Sequence, residues 1–338
     1  MRILFIVPYV PNLVRVRPFN LIRSLARRGH AITLATLWSS EEEQRGLREL
    51  ESCCEAIVGC RVPTWRSALN SLAAVPSKQP MQAAYAWSPA LARRIEGLIQ
   101  PGKSERPFDV IHVEHLRGVK YGLDLQAKMA AGLSVSTRSQ PWGKRIPVVW
   151  DSVDCISYLF RQSAAYSKSF VHRLVTKLDL GRTEVYEAYL LEQFARVLVT
   201  SQLDKEALIA LTKDRKPREN LCVIPNGVDL DYFFPDEEAT REDNSIVVSG
   251  KMSYHANITM VLHLVEKIMP MVWARRPDAH LWVVGKDPSS ELRALSENGK
   301  ITVTGTVEDL RPYLRRAALS VAPLVYGAGI QNKVLESM

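Results

Sequence analysis

The densest chemistry in this chain lies in Ala322–Glu336, APLVYGAGIQNKVLE. Gly327 and Gly329 have no side chains, so backbone N–H groups beside them can approach a phosphate closely. A helix that starts just beyond adds the positive end of its dipole. Lys333, two residues into that helix, can neutralise phosphate charge. Glu336, at i+3, shares the face of Lys333 and can accept hydrogen bonds from ribose hydroxyls. Ile330 and Gln331 complete the loop between the second glycine and the lysine. A dinucleotide fingerprint would place a third glycine at Asn332 and an acid about 20 residues later, and the chain has neither. On its own, then, G-x-G leaves a plain strand–helix turn with a surface Lys–Glu pair as an alternative.

Three more strand ends in the same half carry a glycine: Ser249-Gly250-Lys251, Gly285-Lys286-Asp287 and Gly305-Thr306-Val307. Ligands of parallel sheets bind outside the carboxyl ends of the strands. Four glycine-bearing ends with lysines nearby therefore imply a phosphate-bearing ligand.

The elements that must position these groups follow from periodicity. In the first half, strands are predicted at residues 3–7, 31–37, 110–113, 147–150 and 196–200. Helices are predicted at 18–28, closed by Gly29, and at 172–194. Residues 132–146, small, polar and basic, read as a mobile surface loop. After the turn dipeptide Asn226-Gly227 come strands at 245–248, 281–284, 301–304 and 319–322, with helices at 258–275, 290–297 and 310–316. This is an α/β chain of two Rossmann-like domains with parallel sheets, 1–225 and 226–338, joined near 225–236. The last helix is still running at Met338, so the second domain is expected to be incomplete by two βα units.

Composition narrows the classes. The chain has 338 residues, 46% of them apolar and 24% charged, as in a folded protein rather than a disordered one. Mean hydropathy is −0.08, and no apolar run reaches the roughly 18 residues of a membrane span. The N-terminus reads as a strand rather than a signal peptide. Five cysteines, an odd number without a C-x-x-C pair, argue against a zinc site or a disulfide framework and for a cytoplasmic protein. The net charge of +8 is uneven: residues 1–226 hold 32 Lys+Arg against 21 Asp+Glu, and residues 227–338 hold 12 against 15. The first half is expected to meet an anionic surface.

Four runs together carry a resemblance: Asn226–Asp229, Ser249–Asn257, Val303–Tyr313 and Gly327–Glu336, with Arg17–His30 and Phe108–His115 in the first half. They resemble family 4 glycosyltransferases, and among these the sugar transferases of bacterial exopolysaccharide clusters. The resemblance implies a GT-B fold, its two domains facing across a cleft. It implies a nucleotide-diphosphate sugar donor in the second domain and a glycan or lipid-linked acceptor in the first. Transfer would proceed with retention of configuration and would need no metal or other cofactor. The departing phosphate oxygen would take the acceptor proton, so that the protein stabilises a diphosphate and fixes geometry. Position by position, Lys251 matches the family's cation after the first donor-domain strand. Ala256 stands where a second cation is expected, a deficit that Lys333 can partly fill. Glu336 matches the second glutamate of the E-x7-E signature, whose first falls at Ala328, and Val307 matches a position near the nucleobase. Gly250, Gly285, Gly327, Gly329, Ile330 and Gln331 join them as donor-binding residues.

In the first domain the family's Gly-Gly loop is replaced by Pro11–Arg17. Arg15 or Arg17 can there present a guanidinium to a phosphate; a solvated basic loop is the alternative. In His112-Val-Glu114-His115, strand alternation puts His112 and Glu114 on one face and His115 just past the strand. Glu114 or His115 can orient an acceptor hydroxyl. Asp151 and Asp154 can bind acceptor hydroxyls or cap the next helix. Residues 163–182 are amphipathic and basic, a candidate for contact with an anionic membrane. The expected protein is a cytoplasmic glycosyltransferase, peripheral at the inner membrane face, that does not bind nucleic acid. Its rivals are a degenerate relative that binds nucleotide or glycan without turnover, and a nucleotide-sugar epimerase on the same fold.

Overall fold

The computed structural model describes residues 1–13, 15–100, 107–133, 146–166, 170–236 and 240–338. The chain forms two compact units, Met1–Tyr158 with Asp179–Asn226, and Leu159–Leu178 with Gly227–Met338. The break at Asn226 and Gly227 falls within the span where Pro, Gly and acidic residues cluster. That Leu159–Leu178 groups with the second unit is something no single cut of the sequence expresses. Most of the loop expected at 132–146, residues 134–145, lies outside the described residues.

The first unit is built on seven parallel strands: β1 (Arg2–Val7), β2 (Ala31–Trp38), β3 (Ala56–Arg61), β4 (Val110–Glu114), β5 (Val148–Val153), β6 (Arg196–Val199) and β7 (Leu221–Val223). Their order is β3-β2-β1-β4-β5-β6-β7. Between β1 and β2 runs α1 (Val16–Arg27). Helices α2 (Glu41–Gly46) and α3 (Arg48–Glu51) precede β3, and α4 (Thr64–Ala74), α5 (Met81–Tyr85) and α6 (Pro89–Ile99) follow it. Helix α7 (His115–Leu133) leads to β5. Helices α8 (Ile156–Tyr166) and α9 (Phe170–Leu190), whose residues from Leu159 to Leu178 group with the second unit, come before β6, and α10 (Gln202–Ala210) comes before β7. Central strands with both faces covered read as unbroken apolar runs, and β1 and β2 are buried almost end to end. Around them Phe5, Phe19, Ile22, Ile32, Leu34 and Leu50 close a core.

Helix α1 ends as its sequence predicts. Gly29 takes φ 80°, its N–H donates to Ala26 O, and that of His30 donates to Leu25 O, the paired bonds of a glycine C-terminal cap. Strand β3 escapes a search for β-branched runs because it contains Gly59 and Cys60. The glycine is required, since a Cβ there would sit 2.5 Å from both Thr36 O and Trp38 Cζ3. Strand β7 is only three residues long, too short for periodicity to register.

The second unit holds four parallel strands, β8 (Glu242–Ser249), β9 (His280–Val284), β10 (Ile301–Gly305) and β11 (Ala317–Ser320), ordered β10-β9-β8-β11. The single helix predicted at 258–275 is broken. Helix α11 (His255–His263) passes through a π turn at Leu264–Ile268 into α12 (Met269–Arg275). Pro270 lacks the N–H that a continuous helix would use there. Helices α13 (Ser290–Ala294), α14 (Arg311–Arg316) and α15 (Asn332–Ser337) complete the unit. One sheet face packs Met252, Met260, Val261 and Leu264 against Val248, Leu281 and Val283. The other packs Val247, Val284 and Ala317 with Val307, Trp282 and Tyr313.

Candidate active site

In the second unit the carboxyl ends of β8 and β9 meet backbone to backbone. Gly250 has φ 143° and Gly285 φ 150°, a region that side chains disfavour. A Cβ on Gly285 would lie 1.8 Å from Gly250 O. The crossing is pinned by Gly250 N–H donating to Val284 O and Met252 N–H donating to Lys286 O. The two glycines are thus required by the loop crossing itself, and the Gly250 N–H is already engaged within it.

Lys333 in α15 reaches this crossing. Its Nζ donates to Asn257 Oδ1 at 2.6 Å, and a Cβ on Gly250 would lie 3.5 Å from it. Asn257 Nδ2 in turn donates to Lys251 O at 2.9 Å. The buried Asn257 therefore ties the lysine to the β8 loop, a residue that sequence reasoning passed over in favour of the missing cation at Ala256. Its signal was its place in the Ser249–Asn257 run. Because Lys333 is held by a neutral amide, its charge is available to an anion. Burial lowers its pKa to about 8 against the opposing pull of Glu336, and burial raises the Glu336 carboxyl despite Lys333. The Lys251 side chain is exposed at the loop, and Val307 packs its side chain just past β10.

The glycine loop differs from the expectation in three respects. Strand β11 ends at Ser320 rather than residue 322. Helix α15 starts at Asn332 and runs for six residues, so its dipole is weaker than that of a full-length helix. The Gly327 N–H is already engaged, donating to Gln162 Oε1 at 2.9 Å, and a phosphate there would have to displace that carboxamide. Gly329 takes φ 68°, as its predicted role in the turn requires. Gln331 folds back, Nε2 to Ala328 O at 3.2 Å, which shapes the loop from within. Ile330 is half-buried in it. His255 Nδ1 and Tyr326 Oη are 2.7 Å apart with stacked rings, fastening the loop to the start of α11.

In the first unit β1 lies beside β4 and the strand order reverses between them, the switch point where such sheets bind ligands. The groups gathered there are largely buried. Arg17, 7% exposed, donates from Nε to Asp151 Oδ2 at 2.8 Å and from Nη1 to Ile224 O and Asn226 Oδ1, both at 2.9 Å. His112 Nε2 lies 3.2 Å from Glu114 Oε2 and 3.7 Å from Asp151 Oδ2. Tyr9 Oη donates to Glu114 Oε1 at 3.4 Å. Burial, reinforced by Asp151, pushes the Glu114 carboxyl up; burial, reinforced by Glu114, pushes the Tyr9 hydroxyl well up.

Arg17 therefore does structural work, joining the first loop to the last strand, yet its Nη2 is buried without a partner among the described residues. Arg117 Nε is in the same state, with its guanidinium 4.7 Å above the Tyr85 ring. Arg117 is a functional candidate that the sequence reading missed. Arg15 is spoken for by Glu43 at 3.3 Å and by the Tyr9 ring at 4.8 Å.

His115 takes φ 60° at the start of α7, and its Nδ1 accepts the Arg117 N–H at 3.3 Å. Burial, aided by Arg117, lowers its pKa to about 3. It is thus neutral at physiological pH, with the ring proton on Nε2, and suits donating a hydrogen bond rather than accepting a proton.

Asp151 lies inside β5, fully buried, and neither it nor Asp154 caps α8. That cap comes from Glu187, whose two oxygens accept the N–H groups of Ile156 at 2.7 Å and Ser157 at 3.0 Å. Asp154 instead accepts from Thr200, and burial beside Asp204 raises its pKa to about 7.

His112, Glu114 and Asp151 bring candidate ligand atoms within 4.8 Å of one another, a separation that a metal ion could bridge. The Arg17 guanidinium already provides Asp151 with a cation, so the donor set suits an ion-pair cluster better than a metal. In the basic stretch 163–182, residues 167–169 lie outside the described residues. Arg173, Leu174, Val175, Lys177 and Leu178 are exposed, and Thr176 and Asp179 are buried.

Two α/β units in tandem, each on a parallel sheet, match the GT-B fold. Residues 14–227 match the glycosyl transferase 4-like domain family, and residues 243–338 match the glycosyl transferases group 1 family. The chain belongs to these glycosyltransferases. No curated protein matches it in sequence. Among solved structures, it is similar to a mutant of TarM from S. aureus in complex with Fondaparinux, alpha-GlcNAc-glycerol and UDP. The identity is 7% and the TM-score 0.55, covering 99% of this chain and 83% of that one. It is also similar to an alpha,alpha-trehalose-phosphate synthase (UDP-forming) from Burkholderia vietnamiensis, at 9% identity and TM-score 0.55, covering 100% and 81%. At such identities the likeness concerns the fold.

Proposed function

We propose that the protein transfers a sugar from a nucleoside-diphosphate sugar to a phosphate-bearing, lipid-linked acceptor, with retention, in the assembly of an exopolysaccharide or another surface glycan. The observation that carries the donor half is the Lys333 ammonium, tethered by Asn257 at the Gly250–Gly285 crossing of the β8 and β9 ends. A diphosphate suits a cation placed at the carboxyl ends of parallel strands. That the neighbours in the same fold bear UDP in one case and form it in another supports this reading.

In the reaction, the bond from the anomeric carbon to the β-phosphate oxygen breaks and a bond from the acceptor oxygen forms. The acceptor proton passes to the departing phosphate oxygen. Lys333, with Lys251 at the same loop, stabilises the charge that develops on the diphosphate. Ala328 in place of a glutamate leaves the sugar to backbone contacts. In the first unit, Arg17 Nη2 and Arg117 Nε have hydrogen-bonding capacity for an acceptor phosphate, and the His115 Nε2–H can orient its hydroxyl.

The test incubates the full chain with UDP-, GDP- and ADP-sugars and a polyprenyl-diphosphate sugar, and follows nucleotide release and the anomeric configuration of the product by NMR. The reading expects one nucleotide to be released only when acceptor is present, and a product with the donor's configuration. Inversion contradicts the retaining mechanism, and acceptor-independent binding without turnover favours a non-catalytic relative.

A further inference from the structure

We propose that α4 is an interfacial helix that lays one face into the surface of an anionic bilayer. The helix is built inside out. Its inward positions are small or polar: Ser67 and Ala74 are buried, Asn70 Nδ2 donates to Tyr85 O and Trp87 O, and Ser71 Oγ donates to Met81 O. The opposite side carries Trp65, Leu69, Leu72 and Val75, at 63%, 55%, 64% and 43% exposure. Steps of four and three residues align them in one stripe. A helix that served only this unit's core would turn these residues inward and the serines and asparagine outward.

Charge identifies what covers the stripe. From Ala56 to Ile95 the chain carries Arg61, Arg66, Lys78, Arg93 and Arg94 and not a single Asp or Glu. All five cations are exposed; Arg66 lies in α4 and Lys78 just past it, while Arg94 on α6 also donates to Gly59 O. A Trp–Leu stripe flanked by unopposed Lys and Arg fits a bilayer surface, with the indole at headgroup level, the leucines below it and the cations on lipid phosphates. Pro63 and Pro76 flank the segment. None of the described helices is long and apolar enough to cross a membrane, so this contact lies on the bilayer rather than through it. It rests on α4 and its surroundings alone, independently of the sugar-transfer reading.

The experiment is vesicle flotation of the full chain, with phosphatidylcholine alone and with phosphatidylcholine containing about one-third phosphatidylglycerol as the anionic lipid. Wild type is expected to float with the mixed vesicles and far less with the neutral ones. Leu69→Gln/Leu72→Gln should cut that partitioning roughly tenfold or more, and Arg66→Gln/Lys78→Gln should weaken it and reduce its salt dependence. Both variants change exposed positions and should melt like wild type. The proposal is overturned if wild type does not float with anionic vesicles, or if the apolar variant floats as well as wild type. It is also overturned if light scattering shows a dimer that the apolar variant splits, because the stripe would then face a second copy of the chain.

Discussion

Lys333 combines a place at the β8–β9 crossing with a pKa lowered to about 8. Its pKa of about 8 lies below the usual lysine value because burial disfavours the ammonium, and a diphosphate would bind the charged form. Donor affinity should therefore fall as pH rises through about 8, measured by calorimetric titration across that range. Lys333→Arg, which does not titrate there, should flatten the profile. Between about 8 and the unfolded lysine value, the unfolded chain holds the proton that the folded chain has released. The stability of the unliganded protein should thus rise with pH in the same window, opposite to affinity. Arg17 makes a different residue-scale claim. Removing a buried partner from Asp151 should cost about 3–5 kcal/mol in Arg17→Ala, read by urea denaturation. A value near zero would mean the pair is not closed in solution.

At the scale of elements, the loop crossing and the α8 cap make separable claims. Gly285→Ala puts a Cβ into Gly250 O and should lower stability by about 3 kcal/mol or more, by forcing strained backbone and overpacking together. Gly181, inside α9 with nothing within 4 Å of a Cβ, should give the reverse: Gly181→Ala gains about 0.5–1 kcal/mol from helix propensity. Thermal melts of the two variants check both signs. Asp154 and Glu187 have pKa values raised to about 7, chiefly by burial, so the folded chain binds protons that the unfolded chain releases. Stability should fall as pH rises from the ordinary carboxylate range to about 7, and Asp154→Asn should flatten that slope. The sequence revealed that α8 needed a cap but not which carboxylate supplied it. Glu187 is more than thirty residues on from Ile156, and only the tertiary fold brings a side chain that far to a helix end. Asn257 was overlooked for the opposite reason: it sits inside a run already quoted, but nothing in a linear pattern shows that it will meet Lys333.

At the scale of the molecule, the alternation of apolar runs and amphipathic helices was enough to expose two parallel-sheet units, and the family match agrees. Periodicity missed β7, which is short, β3, which carries a glycine, and the inverted α4, and it also left α6, α7, α8 and α10 unassigned although α7 is 19 residues long. Helix α4 has a clear apolar stripe, but the sequence cannot say that the stripe faces outward until Asn70 and Ser71 are seen bonding inward. Likewise the Gly327 amide looked open to a phosphate until Gln162, far away in the chain, was found on it. The charge asymmetry was legible in the sequence, but four of the basic residues behind it lie in Leu159–Leu178, which groups with the second unit. The proposed function stands or falls on a donor site at the β8–β9 crossing. Its most direct test is a thermal-shift series of the full chain with UDP, GDP and ADP, repeated on Lys333→Ala and Asn257→Ala. A ligand specific for the folded state stabilises by about 2.7 kcal/mol at a hundredfold excess over Kd. The melting temperature should rise with one of the three nucleotides, an effect abolished in Lys333→Ala and reduced in Asn257→Ala. No shift with any of them, or a shift that both variants retain, would contradict it.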